Sequence, residues 1–92
     1  MPFLYELQKV IQERQAHPQP GSYTASLFAA GEDEIVKKVG EEAVEVILAA
    51  KGQEDERVIS EVADLFYHSL VLLAQRGLML EQVEAELQRR HK

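Results

Sequence analysis

Apolar positions recur along this chain with the period of a helix, in five blocks set apart by glycine or proline. In the first, Phe3 to Ala16, Leu4, Leu7 and Ile11 share one face with Phe3 and Val10 beside them. Glu6, Gln8, Gln12, Glu13 and Arg14 take the other faces. His17-Pro18-Gln19-Pro20-Gly21 ends that helix, because proline lacks the amide hydrogen a helix interior needs. Ser22 to Ala30 predicts a short helix, with Ser22 as its N-cap and Gly31 just past its end. Glu32-Asp33-Glu34 then puts negative charge at the positive end of a third helix, which runs to about Lys51. Its apolar arc is Ile35, Val36, Val39, Ala43, Val46, Ile47 and Ala50. Gly40 inside it costs roughly 1 kcal/mol against alanine, which suggests either close packing or ligand approach, or mere slack.

A fourth helix is predicted from near Glu54-Asp55 to Gln75 or Arg76, stopping at Gly77. Val58, Ile59, Val62, Phe66, Ser69, Leu70 and Leu73 form one face, and Leu65, Val71 and Leu72 carry apolar surface well beyond it. A helix that is apolar nearly all round needs burial on several sides. The fifth, Leu80 to about Arg90, carries Leu80, Val83 and Leu87, and Arg89-Arg90-His91-Lys92 suits the negative end of its dipole. Met79 is a poor N-cap for it. No strand-like alternation of useful length occurs, so the pattern predicts a single all-α domain over residues 1–92, an antiparallel helical bundle. The surplus apolar surface of the fourth helix points to completion by homodimerisation.

Composition narrows the function classes. The net charge is −6, so no broad basic surface exists to hold duplex nucleic acid. An anionic small molecule stays open if metal ions neutralise it. Cysteine is absent, which removes disulfides and thiolate metal sites. Met1-Pro2-Phe3-Leu4-Tyr5-Glu6 has neither the basic start nor the apolar run of a secretory signal, and no membrane span is expected; a cytoplasmic protein is the plain expectation.

The chemistry lies between Glu41 and Asp64. Glu42 and Glu45 are i,i+3 neighbours on the third helix, and Glu61 and Asp64 repeat that relation on the fourth. Lys51-Gly52-Gln53 makes a turn short enough to fold the two helices antiparallel, so the acidic pairs can face each other. Four converging carboxylates repel unless a cation sits among them, and oxygen donors suit Mg²⁺ or Mn²⁺. An ordinary solvated helix face would also carry such acids. Against it stand the repetition of the pattern and the cost of placing Glu61 and Asp64 in the most apolar segment of the chain. We therefore take Glu42, Glu45, Glu61 and Asp64 as candidate metal ligands and Glu41 as a group that supports those ligands from outside or orients a water. Lys38, one turn before Glu42, and Arg57, one turn before Glu61, are either simple ion-pair partners or cations for phosphate. His68 is a ligand, a proton donor or a hydrogen-bonded core histidine. Ser22, Tyr23 and Thr24 either touch a ligand or cap a helix.

These residues carry a resemblance. Glu41-Glu42-x-x-Glu45 followed by Glu61-x-x-Asp64 resembles the signature of the MazG-like all-α nucleotide pyrophosphohydrolases. The runs Ser22-Tyr23-Thr24-Ala25-Ser26-Leu27-Phe28, Lys37 to Glu45 and Asp64-Leu65-Phe66-Tyr67-His68 are similar to one member family, the phosphoribosyl-ATP pyrophosphohydrolases, across nearly the whole chain. The resemblance implies hydrolysis of phosphoribosyl-ATP to phosphoribosyl-AMP and pyrophosphate, the second step of histidine biosynthesis. It further implies carboxylate-bound Mg²⁺, with Glu41 and Glu42 in the catalytic group and Lys38, Arg57, Ser22, Tyr23 and His68 near the nucleotide. Two other readings are a general or house-cleaning nucleoside triphosphate pyrophosphohydrolase and a non-catalytic dimerisation module with an acidic stripe.

Overall fold

Five helices form where the periodicity places them: α1 Phe3–Ala16, α2 Tyr23–Ala30, α3 Glu32–Gly52, α4 Asp55–Gln75 and α5 Leu80–Arg90. They are seen in a computed structural model that describes residues 2–91. Met1 and Lys92, which the sequence reading uses at the chain start and in the basic end of α5, lie outside the described residues. No strand occurs among the described residues.

The predicted stop signals work through the backbone. Ser22 Oγ accepts the Ala25 amide at 3.1 Å and starts α2. Gly31, at φ 100°, ends α2 by donating to Leu27 and begins α3 by accepting from Ile35, a conformation that side-chain-bearing residues rarely adopt. At the end of α4, Gly77 (φ 70°) donates to the Ala74 carbonyl and Leu78 to the Leu73 carbonyl, the paired bonds of a Schellman turn.

α3 and α4, joined by two residues, run antiparallel; Arg76 at the end of α4 meets Glu32 at the start of α3 at 3.0 Å. α1 and α2 close over one side of this hairpin. The core is Ile11 from α1, Leu27 from α2, Ile35 from α3 and Leu70, Val71 and Ala74 from α4. By length and composition α4 could cross a membrane, at mean hydropathy 1.2. It buries Glu61 and His68 against neighbouring helices and carries Arg57 and Asp64 as well, which is how a core helix is built.

Three expectations about faces are corrected. In α3, Ile35 is buried, but Val36 and Ile47 are 49 % and 59 % exposed, while Ala49, outside the predicted arc, is fully buried. In α4, Leu70 is buried, but Ile59 and Phe66 are 70 % and 51 % exposed. The reason is common to both: within one chain, the hairpin is covered on one side only. Gly40 is exposed and a Cβ there would meet nothing within 4 Å, so close packing inside the chain does not explain it.

The third correction is Gln8. Periodicity puts it on the polar face, yet it is buried at 6 % exposure. Its Oε1 accepts the Leu80 amide at 2.7 Å and its Nε2 donates to Glu81 Oε1 at 3.1 Å. The Gln82 side chain accepts the Met79 amide at 2.8 Å. The start of α5, poorly capped by Met79, is thus capped from α1 and from its own first turn. Tyr5 adds a 2.7 Å bond to Glu84, which is the main cause, ahead of burial and the charges of Glu84 and Glu81, of its phenol being pushed up to about 12. Gln8→Ala leaves the Leu80 amide without its partner. We expect a loss of about 1–3 kcal/mol, or roughly 4–8 °C in Tm for each kcal/mol. A melting curve that matches the parent would show that water caps α5 equally well.

Candidate active site

α3 and α4 bring one carboxylate oxygen each from Glu42, Glu61 and Asp64 within 4.8 Å of one another. The antiparallel hairpin is the cause, since it sets the first half of α4 beside the middle of α3. Their surroundings differ. Glu61 is buried, Glu42 half-buried and Asp64 exposed. Glu45, one turn after Glu42, is exposed and stands outside this group of three. Glu41 is exposed too and pairs with Lys38 at 3.7 Å.

Buried Glu61 has a partner. The Arg57 guanidinium donates to its Oε2 and is held from the other side by Gln53 Oε1, which accepts Arg57 Nε–H at 3.2 Å. Arg57 is thereby committed first to offsetting a buried charge, the ion-pair reading of that residue. One positive charge against three carboxylates leaves the cluster net negative. The donor set is all carboxylate oxygen, gathered on one side of a helix pair and open to solvent through Asp64, and it fits a hard divalent cation. Among the described residues no histidine joins it.

α2 lies beside this cluster through two links to α4. Tyr23 Oη is 3.0 Å from His68 Nε2, and Thr24 Oγ1 is hydrogen-bonded to Tyr67 Oη. His68 is buried, and its Nδ1 sits 2.8 Å from the Asp64 carbonyl. Both ring nitrogens are therefore occupied, as in the core-histidine reading, and neither is offered to a ligand. Tyr23 is 50 % exposed and its ring stacks on Tyr67 with centroids 6.2 Å apart. Burial pushes the Tyr67 phenol up, opposed by its bond to Thr24. The Tyr23 phenol is the main influence on Lys38, whose ammonium is held above its usual range; loss of hydration opposes this, and Glu41, Glu42 and Glu34 add to it. Ser22 spends its hydroxyl on the helix cap. The sequence offers Thr24 as a ligand contact or helix cap and Tyr67 only as part of the run Asp64 to His68, and their pairing is not legible in it. The signal available was the doublet Tyr23-Thr24 on one helix matched by Tyr67-His68 on another.

A sequence profile described as phosphoribosyl-ATP pyrophosphohydrolase matches residues 4–91. This chain belongs to that family. It is 54 % identical over 87 residues to a phosphoribosyl-ATP pyrophosphatase of Lacticaseibacillus casei, covering 95 % of this chain and 76 % of that one. It is 49 % identical over 85 residues to the phosphoribosyl-ATP pyrophosphatase of Bacillus cereus, covering 92 % and 79 %. A histidine biosynthesis bifunctional protein, HisIE, of Oceanobacillus iheyensis is 52 % identical over 81 residues, 88 % of this chain but 38 % of that relative's length. Within the phosphoribosyl-ATP pyrophosphohydrolase family this chain therefore spans about three quarters of the single-function relatives and well under half of the bifunctional one. The all-α fold expected from the helical periodicity and the family expected from the residue runs are both what is found.

Proposed function

We propose that this protein hydrolyses phosphoribosyl-ATP to phosphoribosyl-AMP and pyrophosphate, in histidine biosynthesis, in the cytoplasm. The observation that carries the reading is the meeting of Glu42, Glu61 and Asp64 in a member of this family. These three residues, with Glu45 completing the set from the adjacent turn, would hold Mg²⁺, with Mn²⁺ as a substitute. The bound ion supplies charge neutralisation at the phosphate oxygens and a more acidic water. Glu41, exposed and next to Glu42 in the chain, would orient the attacking water or take its proton. Lys38 faces the phosphate chain, and Tyr23 lies at the edge of the nucleotide. Arg57 holds Glu61 in place through the guanidinium bond to its Oε2.

The active form is a homodimer. Eight apolar residues are buried among the described residues, against thirteen large hydrophobics left exposed. Val44, Ile47 and Leu48 make a stripe on α3, and Ile59 and Phe66 one on α4. An apolar groove of about 420 Å³ runs between α4 and α5, lined by Leu65, Phe66, Leu73, Val83 and Leu87. A second copy is the occupant that buries this much like surface by symmetry.

Steady-state rates on phosphoribosyl-ATP, ATP, GTP and dUTP, each with Mg²⁺ and after exhaustive chelation, test the function. All four share a triphosphate, and phosphoribosyl-ATP differs from ATP only by its added phosphoribosyl group, so selectivity over ATP must come from contacts to that group. One charge-assisted contact there is worth about 1.5–3 kcal/mol, or roughly ten- to a hundredfold. We expect phosphoribosyl-ATP to lead by at least that factor and chelation to stop turnover. Equal kcat/KM for ATP would assign the protein to general triphosphate pyrophosphohydrolysis, and full turnover without metal would overturn the carboxylate site.

A further inference from the structure

The turn between α3 and α4 is tied to the most buried of the three acids. Gln53 ends α3, and its amide donates to the carbonyl of fully buried Ala49 at 3.0 Å, which fixes the backbone that carries its side chain. Arg57 follows one turn later, at the start of α4. Its Nε–H donates to Gln53 Oε1 at 3.2 Å, and its Nη2 donates to Glu61 Oε2. A guanidinium only donates, so both contacts have one direction. Glu61 is buried at 5 % exposure, yet among the described residues no other hydrogen bond reaches it. No side-chain polar atom sealed from solvent lacks a partner among those residues, so Glu61 Oε1, which has none, is the oxygen left accessible to an ion. Arg57 itself has 54 % of its side chain in solvent. Freed from Gln53, it could turn all its donors toward the three carboxylates that lie within 4.8 Å of one another and carry net negative charge. There it would compete with a metal ion for the same oxygens.

We propose that Gln53 is a positioning residue for metal binding: by holding Arg57 Nε from the turn, it keeps the guanidinium on Glu61 Oε2 and out of the carboxylate group, so that Glu61 Oε1 stays free for the divalent cation. The inference rests on the carboxylate site proposed above. It gives a role to an exposed side chain that the sequence pattern reads only as part of a helix stop. A Gln53 that served the turn alone would have no bearing on metal affinity. Charge alone makes the opposite forecast for Arg57, since losing a cation beside the site should tighten metal binding. Gln53 is neutral, so changing it isolates the geometric effect.

The test is Mn²⁺ titration calorimetry on the full chain without substrate. Gln53→Ala should weaken Mn²⁺ binding about tenfold, the lower end of what a partner of a metal ligand costs, while its melting curve matches the wild type. Gln53→Glu keeps an acceptor for Arg57 Nε–H and should bind Mn²⁺ at least as tightly as the wild type. Arg57→Lys keeps the charge but has a single donor group that cannot hold Gln53 and Glu61 at once. Adding Gln53→Ala to Arg57→Lys should therefore change nothing further. In nitrogen-15 NMR spectra of the metal-free proteins, the Arg57 Nε–H resonance should move in Gln53→Ala and stay near its place in Gln53→Glu. With phosphoribosyl-ATP, the kcat of Gln53→Ala at saturating Mn²⁺ should return to within about threefold of the wild type, because the defect is in metal occupancy. Should Gln53→Ala not fold, Arg57→Lys alone and with Gln53→Glu still decides, since the glutamate should rescue the wild type's partner but not the lysine. Unchanged Mn²⁺ affinity in Gln53→Ala, a Gln53→Glu variant as weak as Gln53→Ala, additive effects with Arg57→Lys, or a kcat that stays low at saturating metal would overturn the inference. Wild-type protein that fails to bind Mn²⁺ contradicts the carboxylate site and the positioning role with it. Wild-type and Gln53→Ala proteins that bind Mn²⁺ equally contradict only the positioning role.

Discussion

Glu61→Gln is expected to lower kcat/KM for phosphoribosyl-ATP by at least about a hundredfold while the chain folds as well as before. Groups that merely support a metal ligand cost about 10–100-fold when changed, so loss of a ligand charge itself should reach or exceed the upper end of that range. A hundredfold is about 2.7 kcal/mol of transition-state stabilisation. Glu61 is the most informative of the four acids because it is buried at 5 % exposure and already paired with Arg57. An amide keeps the shape and can still accept from Arg57, so the helix pair stays closed. It also removes one of three negative charges that lie within 4.8 Å of one another, which relieves repulsion in the metal-free protein. Activity should therefore fall as stability holds or rises slightly, the trade-off expected where function strains a site. Glu42→Gln and Asp64→Asn should behave alike. Glu45→Gln tests whether Glu45 is a fourth ligand, since its carboxylate stands outside the group of three. Parallel assays and thermal melts decide the matter: if Glu61→Gln unfolds the protein, the residue is a structural anchor, and if activity survives, it is not a ligand.

The second large effect concerns assembly. Wild-type protein is expected to scatter light as a dimer at micromolar concentration, and Ile59→Asp combined with Phe66→Asp to break it into monomers of much reduced stability. Ile59 and Phe66 are 70 % and 51 % exposed in the single chain, so the substitutions cost little there. In a twofold interface each position is buried twice, and an aspartate there loses the roughly 1.5–3 kcal/mol that burying such a side chain supplies, along with the cost of desolvating a charge. Since folding and association are linked, the melting temperature should drop by roughly 10 °C or more and become less dependent on concentration. A monomeric wild-type protein, or a double variant that keeps both mass and Tm, would show that α3 and α4 do not meet a second copy through this face.

These two expectations draw on different kinds of information. The helices and their ends were legible in the chain itself. Period and stop signals are local, so Ser22 capping α2, Gly31 separating α2 from α3 and Gly77 ending α4 are readable from a few neighbouring residues. The spacing of Glu42, Glu61 and Asp64 was legible for the same reason: a short turn between two regular helices leaves little freedom in how they face. What the chain alone left open was which side of each helix this molecule covers. Gln8 looks polar and is buried, because the amide it serves belongs to Leu80, 72 positions away. Ile59 and Phe66 look like core and are exposed, because the helices of one chain close over one side of the hairpin. For His68 the chain favours a hydrogen-bonded core residue over a ligand or proton donor, but it does not name the partners, Tyr23 and the Asp64 carbonyl, that take its two nitrogens. Periodicity reports how much apolar surface a helix has and in what direction, while burial depends on partners brought in from distant parts of the chain, and only the tertiary packing names them.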